Sequence, residues 1–364
     1  MHHLELHILQ SVPVSCLNRD DQGSPKSAIF GGVKRARVSS QSWKRAIRDC
    51  AKDIAPDLFS GFRTRLIIQP LVEALQAENV ENPEKAAADI ADVIAKLDGT
   101  KADAVKTLFF TSPSEIRDIA RNYAAAKSDE SATKEGKKKN GKDAEQKLIK
   151  SILEKSKVSW VDAADIALFG RMCANNQSLT VEGAAMFSHA LSTHRIATEL
   201  DYFSAVDDKK PKDDDAGAGM IGLLQYNSAT FYRFVAVNLD LLADDNHLGA
   251  LSVTDRQAIV AAFIEAVLKA VPSARRNSMN ANTLPFCVIG IVRDKGHPVQ
   301  LINAFETPVK SKDGYAQVSY EKLLEEEARL RNRWGLESVE RVELSDKSDL
   351  DIKAFVERMT KHVR

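Results

Sequence analysis

The chain opens with alternation. Leu4, Leu6 and Ile8 in LELHILQSV (4–12) recur every second residue and predict a strand. A long excursion rich in glycine and charge follows, residues 13–38, and its length marks it as functional. The pattern then changes to helical spacing. Trp43, Ile47, Cys50, Ala51 and Ile54 fall on one face, Ser39 and Ser40 are N-cap residue types, and Pro56 stops the segment. Residues 61–169 carry alanine-rich helical periodicity in several pieces, with one low-complexity patch, KEGKKKNGK (134–142).

Strand character returns at 184–197. Residues 200–228 are polar and glycine-containing at their centre and predict a long protruding hairpin or loop. TFYRFVAVNL (230–239) alternates like a strand. An amphipathic helix is expected over 255–271, capped by Thr254, then an apolar strand at 284–293 and another strand at 299–306. Helices over 320–334 and 351–363 close the chain, and no internal repeat is present.

With the two inserts removed, the order is strand, helix, strands, helix, strand. This predicts an α+β fold with a ferredoxin-like core, shared with the RNA-recognition (RRM-like) module. The expected limits are a core, or palm, over 1–58, a helical insert over 59–183, palm again over 184–199, a protrusion over 200–228, and the second part of the palm with C-terminal elements over 229–364.

Composition narrows the class. The 364 residues are 44% hydrophobic and 28% charged, enough for a sizeable core. No apolar run approaches the roughly 18 residues of a membrane span. The start, MHHLELHILQ, lacks the pattern of a signal peptide. Cys16, Cys50, Cys173 and Cys287 form no C-x-x-C pair, so neither a structural zinc nor a disulfide framework is expected. A reducing cytoplasm fits, and no metal or cofactor is predicted.

Charge changes the picture. From Lys26 to Lys52, eight Lys or Arg residues accompany one acid, Asp49, a net +7 in a chain whose total is zero. Lys44, Arg48 and Lys52 line one helix flank at spacings of four, with Arg45 beside them. Like charges at that spacing repel by a few tenths of a kcal/mol per pair. The concentration reads as an electrostatic footprint for a polyanion; a solvated basic face is the alternative. The helix N-terminus adds free N–H groups that attract anions.

Several stretches together carry a family resemblance: SCLNRDD, AIFGG followed by R-R-SSQS-KRA-R, DIALFGRM, STH with DYFSAVDD, FYRF, and NAFE with VKSKDG. In this order, over residues 15–315, they resemble the backbone subunit of Cascade, the type I-E CRISPR surveillance complex. The helical insert, the tip of the protrusion and the last fifty or so residues resemble it weakly or not at all.

The resemblance implies a palm, helical fingers and a protruding thumb hairpin. It implies copies stacked as a helical filament along a guide CRISPR RNA (crRNA), which pairs with target DNA in antiviral defence. The implied partners are the large, small and RNA-end-binding subunits of this ribonucleoprotein complex and a recruited helicase-nuclease. No catalytic duty is implied. A subunit that holds any guide should grip phosphates and sugars. Arg19, Lys26, Arg35, Arg37, Ser39, Gln41, Lys44, Arg45 and Arg48 supply such groups near the opening helix. The resemblance adds Lys310 and Lys312, and it places Met172 and Phe203 near a kink in the RNA, with ordinary core packing as the alternative. Lys137, Lys138, Lys139 and Lys142 are candidates for DNA contact or for a solvated loop.

Enzyme readings compete. Asp20 or Asp21 could serve a metal-dependent ribonuclease on the same fold, cutting RNA at regular intervals; the rival expectation is an Arg19 salt bridge that steadies the loop. A free-standing RNA-binding protein is a third reading. His189 and His194, five apart on an expected strand, would face opposite sides and share no metal. No G-x-x-x-x-G-K-[ST] loop is present.

Overall fold

The apolar start of the chain forms a strand of 13 residues, β1 (His3–Ser15). It is followed by β2 (Ser27–Phe30), β3 (Val33–Val38), α1 (Ser40–Ile54), β4 (Phe62–Thr64), α2 (Ile68–Ala77), α3 (Pro83–Ala95), β5 (Phe109–Thr111), α4 (Pro113–Ala132), α5 (Gly141–Lys155) and α6 (Ala164–Phe169). Then come β6 (Ala185–Phe187), β7 (Ala190–Ser192), β8 (Glu199–Ala205), β9 (Met220–Asn238), α7 (Leu239–Leu242), α8 (Val253–Lys269), β10 (Cys287–Arg293), α9 (Ala316–Trp334), β11 (Glu340–Ser345) and α10 (Ile352–Thr360). The computed structural model describes residues 1–101, 103–132, 141–155, 161–205 and 220–364.

The chain divides into two compact units. One comprises Met1–Cys50, Phe187–Ala236 and Phe263–His362; the other comprises Ala51–Met186, Val237–Ala262 and Val363–Arg364. The first unit is built on a mixed α+β plan. Its sheet runs β11-β10-β1-β9-β7-β3-β2, with β6 and β8 paired to β9 off this path. The central order β10-β1-β9-β7 is reached through α1 and α8. Leu4, Leu6 and Ile8 are fully buried, as their alternation requires.

The opposite face of β1 is polar yet equally buried. His3, Glu5 and His7 have no exposed surface. Glu5 accepts hydrogen bonds from His3 Nε2 at 3.1 Å, His7 Nε2 at 3.3 Å and the Val299 N–H at 3.0 Å, and Arg293 Nε lies 3.4 Å away. Burial alone would raise the Glu5 carboxyl. The hydrogen bonds from His3 and His7, with the charges of His7 and Arg293, outweigh it and hold the group well below the usual carboxylate range.

Four expectations need correction. The excursion before α1 is partly a hairpin, β2 against β3, with Phe30 opposite Val33. Gly31 and Gly32 both have positive φ in its two-residue turn, the geometry that matches strand twist. Residues 299–306 are not a strand: Ile302–Phe305 is a 3-10 turn, with Leu301 and Phe305 buried four apart. β11, not anticipated, pairs with β10 and places Leu344 opposite Val288. The α8 cap is Ser252, not Thr254. Its Oγ accepts the Asp255 N–H at 3.1 Å and lies 2.7 Å from the Asp255 carboxylate.

In the second unit α2 to α5 share an apolar core that includes Leu71, Leu75, Ile90, Ile94, Ile116 and Ile119. A short antiparallel pair, β4 with β5, joins Phe62 to Thr111. Buried Arg171 donates to Glu115 at 2.7 Å and to the Phe110 and Leu179 carbonyls. No helix among the described residues is long and apolar enough to cross a membrane.

Candidate nucleic-acid interface

α1 forms where the apolar periodicity placed it. Trp43, Ile47 and Ala51 are buried, while Cys50 and Ile54 are half-buried. Ser39 caps it, its Oγ accepting the Ser42 N–H at 3.3 Å. The Asn18 carboxamide oxygen accepts the Ser39 N–H at 2.9 Å and ties the 18–24 loop to the helix start. The Ser40 N–H donates to His189 Nδ1 at 3.2 Å. Three N–H groups at this helix start, those of Ser39, Ser40 and Ser42, are therefore occupied, which corrects the expectation of a free helix terminus. The first turn holds no acid.

The cations of α1 differ in setting. Arg45 is exposed, 82% for its side chain, and lies 3.8 Å from Asp49. Arg48 is only 17% exposed and lies 4.0 Å from the same carboxylate. Lys44 Nζ sits 5.2 Å above the Phe187 ring. Exposed ion pairs of this kind contribute little stability, about 0–1 kcal/mol each.

The 18–24 loop is a tight turn. Asp20 Oδ1 accepts the N–H groups of Gln22 at 3.0 Å and Ser24 at 2.9 Å. Backbone pairing brings Lys26 against Asn18 and Arg37 against Lys26. No Arg19 ion pair is present among the described residues, so the loop is steadied by Asp20 itself rather than by the expected salt bridge. Arg19, Asp20, Asp21, Ser42, Arg45 and Asp49, with residues 272–274, line an open cleft of about 570 Å³. The 272–276 segment was not singled out from the sequence, although its Arg275-Arg276 pair was visible there. Burial raises the Cys16 thiol, and the charges of Arg275 and Arg19 pull it down.

Arg35 is a correction. It is fully buried, and its guanidinium donates to the carbonyls of Phe30 at 3.1 Å, Ser192 at 2.9 Å, Phe305 at 2.7 Å and Glu306 at 3.2 Å. Burial depresses its pKa, with Glu306 acting in the opposite sense. In this conformation Arg35 joins three segments of its unit and presents no surface to a ligand. Arg37, by contrast, is half-buried, and its Nε lies 3.4 Å from the Ser27 carbonyl.

Gln41, Lys310 and Lys312 are exposed. The segment carrying the two lysines is held by the Val309 N–H, which donates to the Thr193 carbonyl at 2.9 Å. His194 is buried and accepts the Thr230 N–H at Nε2, whereas His189 is exposed with Ser40 as partner. Phe203 is 38% exposed on the β8–β9 pair, opposite Gly222. Met172, in the second unit, is 84% exposed. Both are too open for ordinary core packing, the alternative weighed for them. Lys137, Lys138 and Lys139 lie outside the described residues, as do the side chain of Lys142 and residues 206–219 of the expected thumb.

The model of the family described as CT1975-like protein matches residues 4–360. The chain is similar, at 32% identity and a TM-score of 0.78, to a chain of a structure described as a CRISPR RNA-guided surveillance complex, pre-nicking, with 100% of both chains covered. It is similar at 27% identity and a TM-score of 0.61 to a chain of another CRISPR RNA-guided surveillance complex, covering 97% of this chain and 92% of that one. No curated protein matches it. A family model spanning nearly every residue, and a full-length relative above 30% identity, place this chain in the CT1975-like protein family.

Proposed function

We propose that the chain is the guide-RNA-binding backbone subunit of a type I-E Cascade complex: a non-catalytic scaffold that polymerises along the crRNA and presents its bases to target DNA. One observation carries the reading. Arg19, Lys26, Arg37 and Arg45 lie at least partly exposed on the segment that also buries Val38, Trp43 and Ile47. A face that is apolar inward and cationic outward, with hydroxyl and amide groups between, grips a sugar-phosphate chain without reading its bases. The likeness to chains of RNA-guided surveillance complexes supports the choice of polyanion.

In this reading the first unit holds the ferredoxin-like palm, in keeping with its β10-β1-β9-β7 order. α2 to α5 are the fingers, and the β8–β9 pair is the base of the thumb. Met172 and Phe203 meet the strand where it kinks. Asp20 favours the scaffold over the ribonuclease, because its Oδ1 is engaged by two backbone N–H groups.

The test is the salt dependence of single-stranded RNA binding. Log affinity falls with log salt at about −0.7 per neutralised phosphate. The Arg19→Ala, Arg45→Ala double variant removes two exposed charges and should shallow the slope by about one. A slope identical to wild type would remove this face from the interface.

A further inference from the structure

His189 lies between β6 and β7, at the N-terminus of α1. Its Nδ1 accepts the Ser40 N–H at 3.2 Å. An imidazole nitrogen that accepts must be unprotonated, so in the neutral ring the proton resides on Nε2. The ring is exposed. The charges that act on it are those of Arg37 and Lys26, both positive, and burial and these two cations together lower its pKa. A residue needed only to cap α1 would use Nδ1 alone. Here the remainder of the ring, with a directed N–H, is presented to solvent among cations proposed to hold the guide.

We propose that His189 is a direct RNA contact: its Nε2–H donates to a sugar or phosphate oxygen of the single strand, with the tautomer set by the Ser40 N–H. The proposal rests on the RNA-binding reading above and adds to it a neutral, oriented donor. Lysine ammonium groups attract a phosphate from many directions. A ring held at its other nitrogen accepts only one approach, so His189 fixes the register of the strand over α1 rather than its overall attraction.

Two variants separate this role from capping. In His189→Asn the amide oxygen takes the place of Nδ1 and keeps the Ser40 bond, but nothing replaces Nε2–H. In His189→Gln the amide nitrogen reaches the place of Nε2, and the bond to Ser40 is lost. Binding of a labelled single-stranded RNA would be followed against salt, with thermal unfolding alongside. His189→Asn should bind about tenfold more weakly, the worth of one lost hydrogen bond, with wild-type Tm and salt slope. His189→Gln should bind within about twofold of wild type. Wild-type affinity in His189→Asn would overturn the proposal, and so would a loss of binding and a lowered Tm confined to His189→Gln, which would mark a helix cap. A shallower salt slope in His189→Asn would also overturn it, because His189 would then act as a cation. Absence of RNA binding by the wild type would instead sink the reading beneath it.

Discussion

His194 lies flat against Tyr315, ring centroids 3.7 Å apart and planes 7° apart. The stack closes the segment that carries Lys310 and Lys312. His194 is held by two bonds that demand a neutral ring: Nε2 accepts the Thr230 N–H at 3.2 Å, and Nδ1 donates to the Arg195 carbonyl at 2.9 Å. Burial lowers its pKa and the Arg35 charge adds to this, against the opposing effect of the Arg195 carbonyl.

A pH dependence follows, and its sign is fixed. With the folded pKa below the ordinary value of about 6.5, the unfolded chain binds more protons in the window between the two. The contribution of His194 to stability is complete above about pH 6.5 and is lost as pH falls below it. Urea unfolding between about pH 5 and pH 8 should show this loss in the wild type. It should be smaller in His194→Phe, which keeps a flat ring on Tyr315 and cannot titrate. Identical pH profiles for the two proteins would count against it.

Arg35 and Arg45 should separate folding from binding. Arg35→Ala strands the buried carbonyl acceptors of Ser192 and Phe305 and the partly buried ones of Phe30 and Glu306 and should cost about 3 kcal/mol or more in urea unfolding. Arg45→Ala, at an exposed site, should change stability by no more than about 0.5 kcal/mol while weakening RNA binding at low salt. A folded, fully stable Arg35→Ala protein would show that the buried guanidinium is not what joins these segments.

Gly222 controls where Phe203 can lie. A Cβ at residue 222 would overlap the Phe203 ring, so Gly222→Val must push that ring aside. The variant should fold, because the change is on a partly exposed strand pair. If the chain forms the proposed filament, the variant should blur the periodic nuclease protection of the guide. An unchanged protection ladder would mean that Phe203 has no part in the kink.

Asp20 should matter to the loop and not to RNA integrity. Asp20→Ala removes the acceptor for the Gln22 and Ser24 N–H groups, at a cost of about 1 kcal/mol. With magnesium present, guide and complementary RNA should remain intact with both wild-type and variant protein. Regularly spaced cuts that disappear in Asp20→Ala would establish the ribonuclease instead.

What the sequence determined by itself was local. α1 was legible because Trp43, Ile47 and Ala51 repeat at helical spacing behind Ser39, and β1 because Leu4, Leu6 and Ile8 alternate. The basic segment was legible because its cations are close together along the chain. The β2–β3 hairpin was read as a charged excursion ending in a strand end before α1, although the Gly31-Gly32 pair was a usable turn signal. β11 was missed because a six-residue strand acquires its character only by pairing with β10. Only the tertiary structure decided which charges are available. Arg35 and Arg37 are two residues apart on β3. Yet carbonyls from Ser192, Phe305 and Glu306, more than 150 residues away, enclose Arg35 and leave Arg37 partly open. His189 likewise reaches the site only because the β3–β7 pairing brings Ala190 opposite Val38, beside the start of α1. Burial and hydrogen-bond partners depend on which distant segments meet, and residue type and spacing do not encode that locally.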